Sequence, residues 1–254
     1  MRRIMIRVAY DGTAYHGWQL QDGQVSIESV LNEAISHLLK EEISVIGASR
    51  TDSGVHSLGT AAVFDTNTRI PAEKLKYAIN QGLPEDIRVI ESREVRPDFH
   101  PRKCVSHKTY EYVICNAPVY QPVGRLYRYF YHYPLDEKKM AEAASYVVGE
   151  HDFTSFCSIG TQAKDFVRTM EFCEVTRTGD DIRIRIRGNG FLYNMVRILA
   201  GTLIEIGGGK REPSEMKQIL EARDRNAAGP TAPAQGLTML GIDFEEDPGI
   251  AEKP

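Results

Sequence analysis

Strand-like and helix-like periodicities alternate in a set order over the first hundred residues, and few folds accept that order. Ile4, Ile6 and Val8 alternate as one face of a strand. Ile27, Val30, Leu31, Ala34, Ile35, Leu38 and Leu39 then recur at helical spacing between Ser26 and Lys40, with Ser26 placed as an N-cap. Ile43-Ser44-Val45-Ile46 and Leu58 to Phe64 read as two more strands. Pro71 stands where the first position of a helix accepts proline, and Leu75, Ala78 and Ile79 give that helix an apolar face. Ile87 to Val95 closes the series as a strand.

The second half repeats the order after a longer opening. Thr109, Glu111 and Val113 alternate with Tyr110, Tyr112 and Ile114, and Tyr127 to Tyr133 reads as an aromatic strand. A helix is expected from Asp136 to about Val148, then strands near 167–177 and 182–188 joined by the turn Thr178-Gly179-Asp180-Asp181. A second long helix runs from Phe191 to Ile206 until Gly207-Gly208-Gly209 ends it, and Leu237 to Phe244 supplies the last strand. The final ten residues read as a frayed end. Two copies of β-α-β-β-α-β predict an α+β protein of two ferredoxin-like (split β-α-β) units, with joined antiparallel or mixed sheets and a cleft between them. Pro97 and Pro101 interrupt regular structure, which divides the chain into residues 1–104 and 105–254.

Composition excludes several classes. At 254 residues, 42% apolar and 26% charged, this is the make-up of a soluble globular protein. The apolar run after Arg2 and Arg3 is broken by Arg7 and Asp11, so no signal peptide is expected. Phe191 to Ile206 carries Asn194, Arg197 and Glu205 and is no membrane span. Four cysteines without a Cys-x-x-Cys spacing predict reduced thiols of a cytoplasmic protein, with no metal site or disulfide framework. The net charge of −4 conceals local clusters: Arg2, Arg3 and Arg7; Arg102, Lys103, His107 and Lys108; Arg125 and Arg128; Arg183, Arg185 and Arg187. Segregated in this way, they could line a basic cleft or remain solvated strand faces.

Chemistry concentrates in Arg50-Thr51-Asp52-Ser53-Gly54-Val55-His56, between the two middle strands of the first half. Gly47 and Gly54 permit a sharply bent loop there. Alone, Arg-x-Asp is a turn with a local ion pair, and His56 is a turn-stabilising imidazole as readily as a catalytic one. Tyr110 alone is a strand aromatic. Arg197 alone is a cation snorkelling from an apolar helix face. Residue by residue, the chain is a two-unit α+β protein with a charged loop, open to nucleic-acid binding.

Taken together the motifs are more specific. Arg-Thr-Asp-x-Gly-Val-His at 50–56, Asp98-Phe99-His100 with Arg102, Lys-Thr-Tyr at 108–110, Gly-Phe-Leu-x-Asn-Met-Val-Arg at 190–197 and Ala-Pro-Ala-x-Gly-Leu at 232–237 stand in order. With Tyr10-Asp11-Gly12-Thr13 and Gly17-Trp18-Gln19, they make the whole chain resemble the tRNA pseudouridine synthase A family. Ser49, where that family usually has glycine, and Ser53 and Ser57, where alanine is common, are mild departures in loop packing. The resemblance implies isomerisation of uridine to pseudouridine in the anticodon stem-loop of tRNA, at positions 38 to 40, by a cytoplasmic homodimer without metal or cofactor. It implies Asp52 as nucleophile, with Arg50 and Arg197 as its cationic partners. Tyr110 is expected against the target base, and His56, Leu237, Arg102 and Lys108 are further substrate-binding candidates.

Two rival functions are separable by their residues. A non-catalytic RNA-binding module would have no need of Asp52 with its arginines. A carboxylate-dependent hydrolase needs a second acid about 5–9.5 Å away, for which Asp11 or Asp98 would have to approach in space.

Overall fold

A computed structural model describes residues 1–249 of the chain. Contacts divide it into two compact units: Met1–Ser106 with the segment from Met239, and His107–Thr238.

The first unit runs β1 (Arg2–Tyr10), α1 (Ile27–Leu39), β2 (Ile46–Gly47), β3 (His56–Thr66), α2 (Leu75–Ile79) and β4 (Ile87–Val95). β1 lies between β3 and β4 and is antiparallel to both, with Ile4 opposite Phe64 on one side and Glu94 on the other. Ile4, Ile6 and Val8 turn to one face and pack with Ile27, Leu31 and Ile35 of α1 and Leu75 and Ile79 of α2. All but Ile79, at 1%, are wholly inaccessible to solvent. Each such side chain stabilises the fold by roughly 1.5–3 kcal/mol. Ser26 caps α1 as expected, and reciprocally: its Oγ accepts from Ser29 N–H at 3.2 Å while its own N–H donates to Ser29 Oγ at 3.0 Å.

Two expected elements shrink. Of the strand-like run 43–46 only Ile46 pairs, because side chains of α1 take the earlier donors. Ile43 N–H donates to Ser36 Oγ at 3.0 Å and Val45 N–H to Asn32 Oδ1 at 2.8 Å. After Pro71 the chain makes a 3-10 turn, Ala72–Lys74, before the short α2. Ser92 of β4 pins that turn by accepting from Lys76 N–H at 2.9 Å and donating to the Ala72 carbonyl at 2.6 Å.

The second unit runs β5 (Ser106–Cys115), β6 (Tyr129–Phe130), α3 (Glu137–Ser145), β7 (Gly149–Asp152), β8 (Val167–Thr178), β9 (Asp181–Gly188), α4 (Met195–Gly207) and α5 (Glu215–Ala222). Its strands lie in the order β5-β9-β8-β7, all antiparallel, with β6 beside the end of β5. α3, capped by Asp136, packs on β8 and on the almost wholly buried α4. The aromatic strand expected at 127–133 reduces to Tyr129–Phe130, since the Asn116 side-chain amide takes the Tyr131 and Tyr133 carbonyls at 2.8 and 2.7 Å. α4 begins at Met195 rather than Phe191 because Asn194 sits in left-handed backbone at φ 60°. Neither α5 nor β7 was expected, although Met216, Ile219 and Leu220 stand at helical spacing and are buried. The four cysteines are unpaired thiols, and among the described residues no helix is long and apolar enough to cross a membrane.

β10 (Leu237–Phe244) carries the chain back to the first unit. There Arg7 Nη1 donates to the Ile242 carbonyl at 3.0 Å, and Phe244 meets Phe99 edge to face, with ring centroids 5.1 Å apart. The end expected to fray lies partly outside the described residues. Its described part is held: Arg96 N–H donates to the Pro248 carbonyl at 2.9 Å, and Gly249 bridges Val95.

Candidate active site

The Asp52 loop is built by two segments that interlock within the first unit. The stretch after β1 folds back over the stretch before β3, and backbone bonds fasten them. Trp18 N–H donates to the Thr51 carbonyl at 3.1 Å, and Gly54 N–H donates to the Tyr15 carbonyl at 3.3 Å. Tyr10 Oη and Thr51 Oγ1 share a hydrogen bond of 2.7 Å, both groups buried. Val55 N–H closes a turn onto the Asp52 carbonyl at 3.1 Å, with Gly54 at φ 77° supplying its left-handed residue. Gly47 serves differently: its missing Cβ leaves room for the Trp18 indole. Within this frame Asp52 is half-buried and Arg50 is exposed.

His56 is only 3% exposed. Its Nδ1 lies 3.1 Å from the Gly12 N–H and 3.1 Å from Asp11 Oδ1, so it ties the loop to the end of β1. Asp11 Oδ1 also accepts from Thr13 N–H at 3.0 Å and Thr13 Oγ1 at 2.6 Å. Arg102 and Lys103 lie on a separate turn, anchored by buried Phe99, whose carbonyl accepts from Arg3 Nη1 at 2.9 Å. Burial first, then the charges of Lys103 and Arg102, lowers the proton affinity of His100 beside them.

In the second unit, Lys108, Tyr110 and Tyr112 share one face of β5 through the two-residue period of the strand. Tyr110, 7% exposed, packs edge to face against Phe191, with centroids 5.0 Å apart. Tyr112 Oη donates to the Pro233 carbonyl at 2.8 Å, and Arg197 Nε donates to the neighbouring Ala232 carbonyl at 2.8 Å. Strand β5 and helix α4 thus grip consecutive carbonyls of the Ala-Pro-Ala-x-Gly-Leu motif. Gly236 leaves room for the Tyr112 ring, and buried Leu237 follows it. Burial, and after it the charge of Arg168, holds the half-buried Lys108 ammonium below the usual lysine range.

Several expected cationic clusters are neutralised locally. Arg2, Arg3 and Arg7 face Glu94, Asp65 and Glu91 at 3.1, 2.6 and 3.2 Å. Arg183 and Arg187 face Glu111 and Glu171, each at 2.8 Å. Residue-by-residue reading also missed Thr51, Asn194 and Arg168. The first two sit inside motifs, where spacing showed the pattern and not the task of each member. Among the described residues no cluster of three or more His, Cys, Asp or Glu side chains could hold a metal ion.

A family model described as tRNA pseudouridine synthase matches residues 6–102 and 143–245. The tRNA pseudouridine synthase A of Thermoanaerobacter sp. (strain X514) is 47% identical over 244 residues, which is 96% of this chain and 100% of that protein. The tRNA pseudouridine synthases A of Brevibacillus brevis and Acetivibrio thermocellus are 46% and 45% identical, again over 96% of this chain and the whole of theirs. With the interlocked Asp52 loop and the joint hold of Tyr112 and Arg197 on Ala232-Pro233 in place, and with relatives matched end to end, the chain belongs to the tRNA pseudouridine synthase family.

Proposed function

We propose that this chain isomerises uridine to pseudouridine in the anticodon stem-loop of tRNA, at positions 38 to 40, with Asp52 as the nucleophile. The observation that carries the reading is the Asp52 loop itself. Tyr15 and Trp18 fix its backbone and Tyr10 holds the Thr51 hydroxyl, while Asp52 is left half-buried.

The chemistry accounts for so small a set of groups. The bond from uracil N1 to ribose C1′ breaks, the base rotates, and C5 bonds to C1′. C5 then gives up its proton and N1 gains one. Oxidation state is unchanged and no group leaves, so a carboxylate nucleophile and proton transfers suffice. Attack on the ring or on the anomeric carbon both satisfy this balance. Asp52 must be ionised to act, and Arg197 with Arg50 is the proposed source of positive charge. Tyr110, stiffened by Phe191, offers the base an aromatic surface, and Leu237 an apolar one.

Reaching the base costs a few kcal/mol of unstacking. Phosphate contacts offset that cost, and Lys108 and Arg102 are the proposed donors. His56, buried beneath the loop, acts by holding it. A homodimer acting in the cytoplasm completes the reading, supported by the family resemblance. The two-carboxylate hydrolase finds no support at Asp11, whose Oδ1 is already occupied by Thr13 and lies beside His56.

Tritium release from tRNA labelled at uridine C5 tests the proposal. Wild type releases tritium, and Asp52→Asn, still folded and still binding tRNA, releases none. Undiminished release would remove Asp52 from the mechanism. Carbodiimide mapping of the product would locate the modified position, and free uracil or cleaved RNA would mark a hydrolase instead.

A further inference from the structure

Asn194 opens α4 in left-handed backbone, φ 60° and ψ 9°. Asparagine tolerates that conformation better than most residues, yet glycine tolerates it better still. Backbone geometry therefore does not explain the side chain. Nor does helix capping, because the Asn194 side chain makes no cap hydrogen bond to α4.

The side chain works in two other directions. Its Oδ1 accepts from Arg197 Nη1 at 2.7 Å, and its Nδ2 donates to Ser158 Oγ at 2.9 Å. The assignment of the two amide atoms is forced, since a guanidinium only donates and its neighbour must accept. Ser158 is itself fastened, its N–H donating to the Tyr193 carbonyl at 3.1 Å. On its other edge Arg197 Nε donates to the Ala232 carbonyl at 2.8 Å, and Ala232 N–H returns a bond to the Arg197 carbonyl at 3.0 Å. A guanidinium is a rigid planar fork. Bonds at two of its three nitrogens define both where the fork sits and how its plane lies.

We infer that Asn194 is a positioning residue for the isomerisation, aiming the Arg197 guanidinium, with Ser158 in turn aiming Asn194. This rests on the reading of Arg197 as the catalytic cation.

Asn194→Gly separates side chain from backbone, because glycine keeps the left-handed opening of α4 and deletes both bonds. It is expected to lower kcat for tritium release about tenfold while tRNA affinity stays within about twofold. The acidic limb of its pH–kcat profile should move upward, since a poorly aimed guanidinium favours the ionised carboxylate less. In an Arg197→Lys background, where the fork is already gone, the same change should cost less than about twofold. Ser158→Ala, which leaves Asn194 in place, should show a smaller loss with the same signature, and serves if Asn194→Gly folds poorly by circular dichroism. Wild-type kcat in both variants overturns the inference, as does a full tenfold loss that persists beside Arg197→Lys. Wild-type kcat in Arg197→Lys alone removes Arg197 from the chemistry. A crippled Arg197→Lys beside a silent Asn194→Gly sinks only the role given to Asn194.

Discussion

Asp65 shows how one side chain writes itself into stability. Arg3 grips it through two N–H groups, Nε at 2.8 Å and Nη2 at 2.6 Å, a bidentate geometry that outperforms a single contact. Those bonds, against a smaller cost of burial, hold the Asp65 carboxyl below its usual range. An unfolded aspartate titrates at about 3.9. The stabilisation is therefore complete above that pH and is lost as pH falls through the lower folded value. Asp65→Asn should lower the melting temperature at neutral pH, with the gap to wild type closing from about pH 4 downward. With side-chain exposures of 18% and 36% the effect will be modest, and calorimetry showing an undiminished gap at low pH would refute it. The same residue scale explains what went unread at Asn194 and Thr51. Tyr10 lies 41 positions from Thr51, and Asn194 joins Arg197, three residues on, to Ser158, 36 positions away, so each role needs a partner beyond any local pattern. Asp52, Tyr110 and Arg197 stood out because they lie in ordered motifs.

Elements were legible where their determinants are local. α1 is periodic and carries its own cap, so Ser26→Ala should cost about 1 kcal/mol in urea unfolding, with the slope unchanged. A cost near zero would mean that the reciprocal bond with Ser29 contributes nothing. β4 and β10 occupy the expected residues, Ile87–Val95 and Leu237–Phe244, even though Asn80 bonds both backbone groups of Val89 and Arg7 bonds the Ile242 carbonyl. The run at 43–46 has the same apolar character, yet Asn32 and Ser36 claim its donors and shorten β2. α4 illustrates the opposite error. Phe191 and Leu192 fit its period, but one left-handed residue at Asn194 moves the start to Met195. Periodicity reports which face is apolar; competing side chains, as at β2, and backbone conformation, as at α4, decide where these elements stop or start.

Across the whole molecule, the first unit is discontinuous in sequence, completed by a segment from the far end of the chain. Arg7, Phe99, Val105 and Arg96 all find partners between Ile242 and Pro248. Truncation after Thr238 should therefore weaken the first unit in particular, seen as faster hydrogen exchange of β1 and β4 amides. Unchanged protection there would show the segment to be dispensable. Charge is also settled at this scale. Arg183 and Arg187 read as a basic stripe along one strand until Glu111 of β5 and Glu171 of β8 are found beside them. What the sequence alone determined was the α+β class, the order of most elements and the motifs that name the family, since periodicity, caps and motif spacing are properties of neighbouring residues. Tertiary structure decided which strand-like runs pair, which cations meet a counter-charge and how the Arg197 fork is aimed. Those outcomes depend on donors, acceptors and charges that only folding brings within 3 to 4 Å of one another.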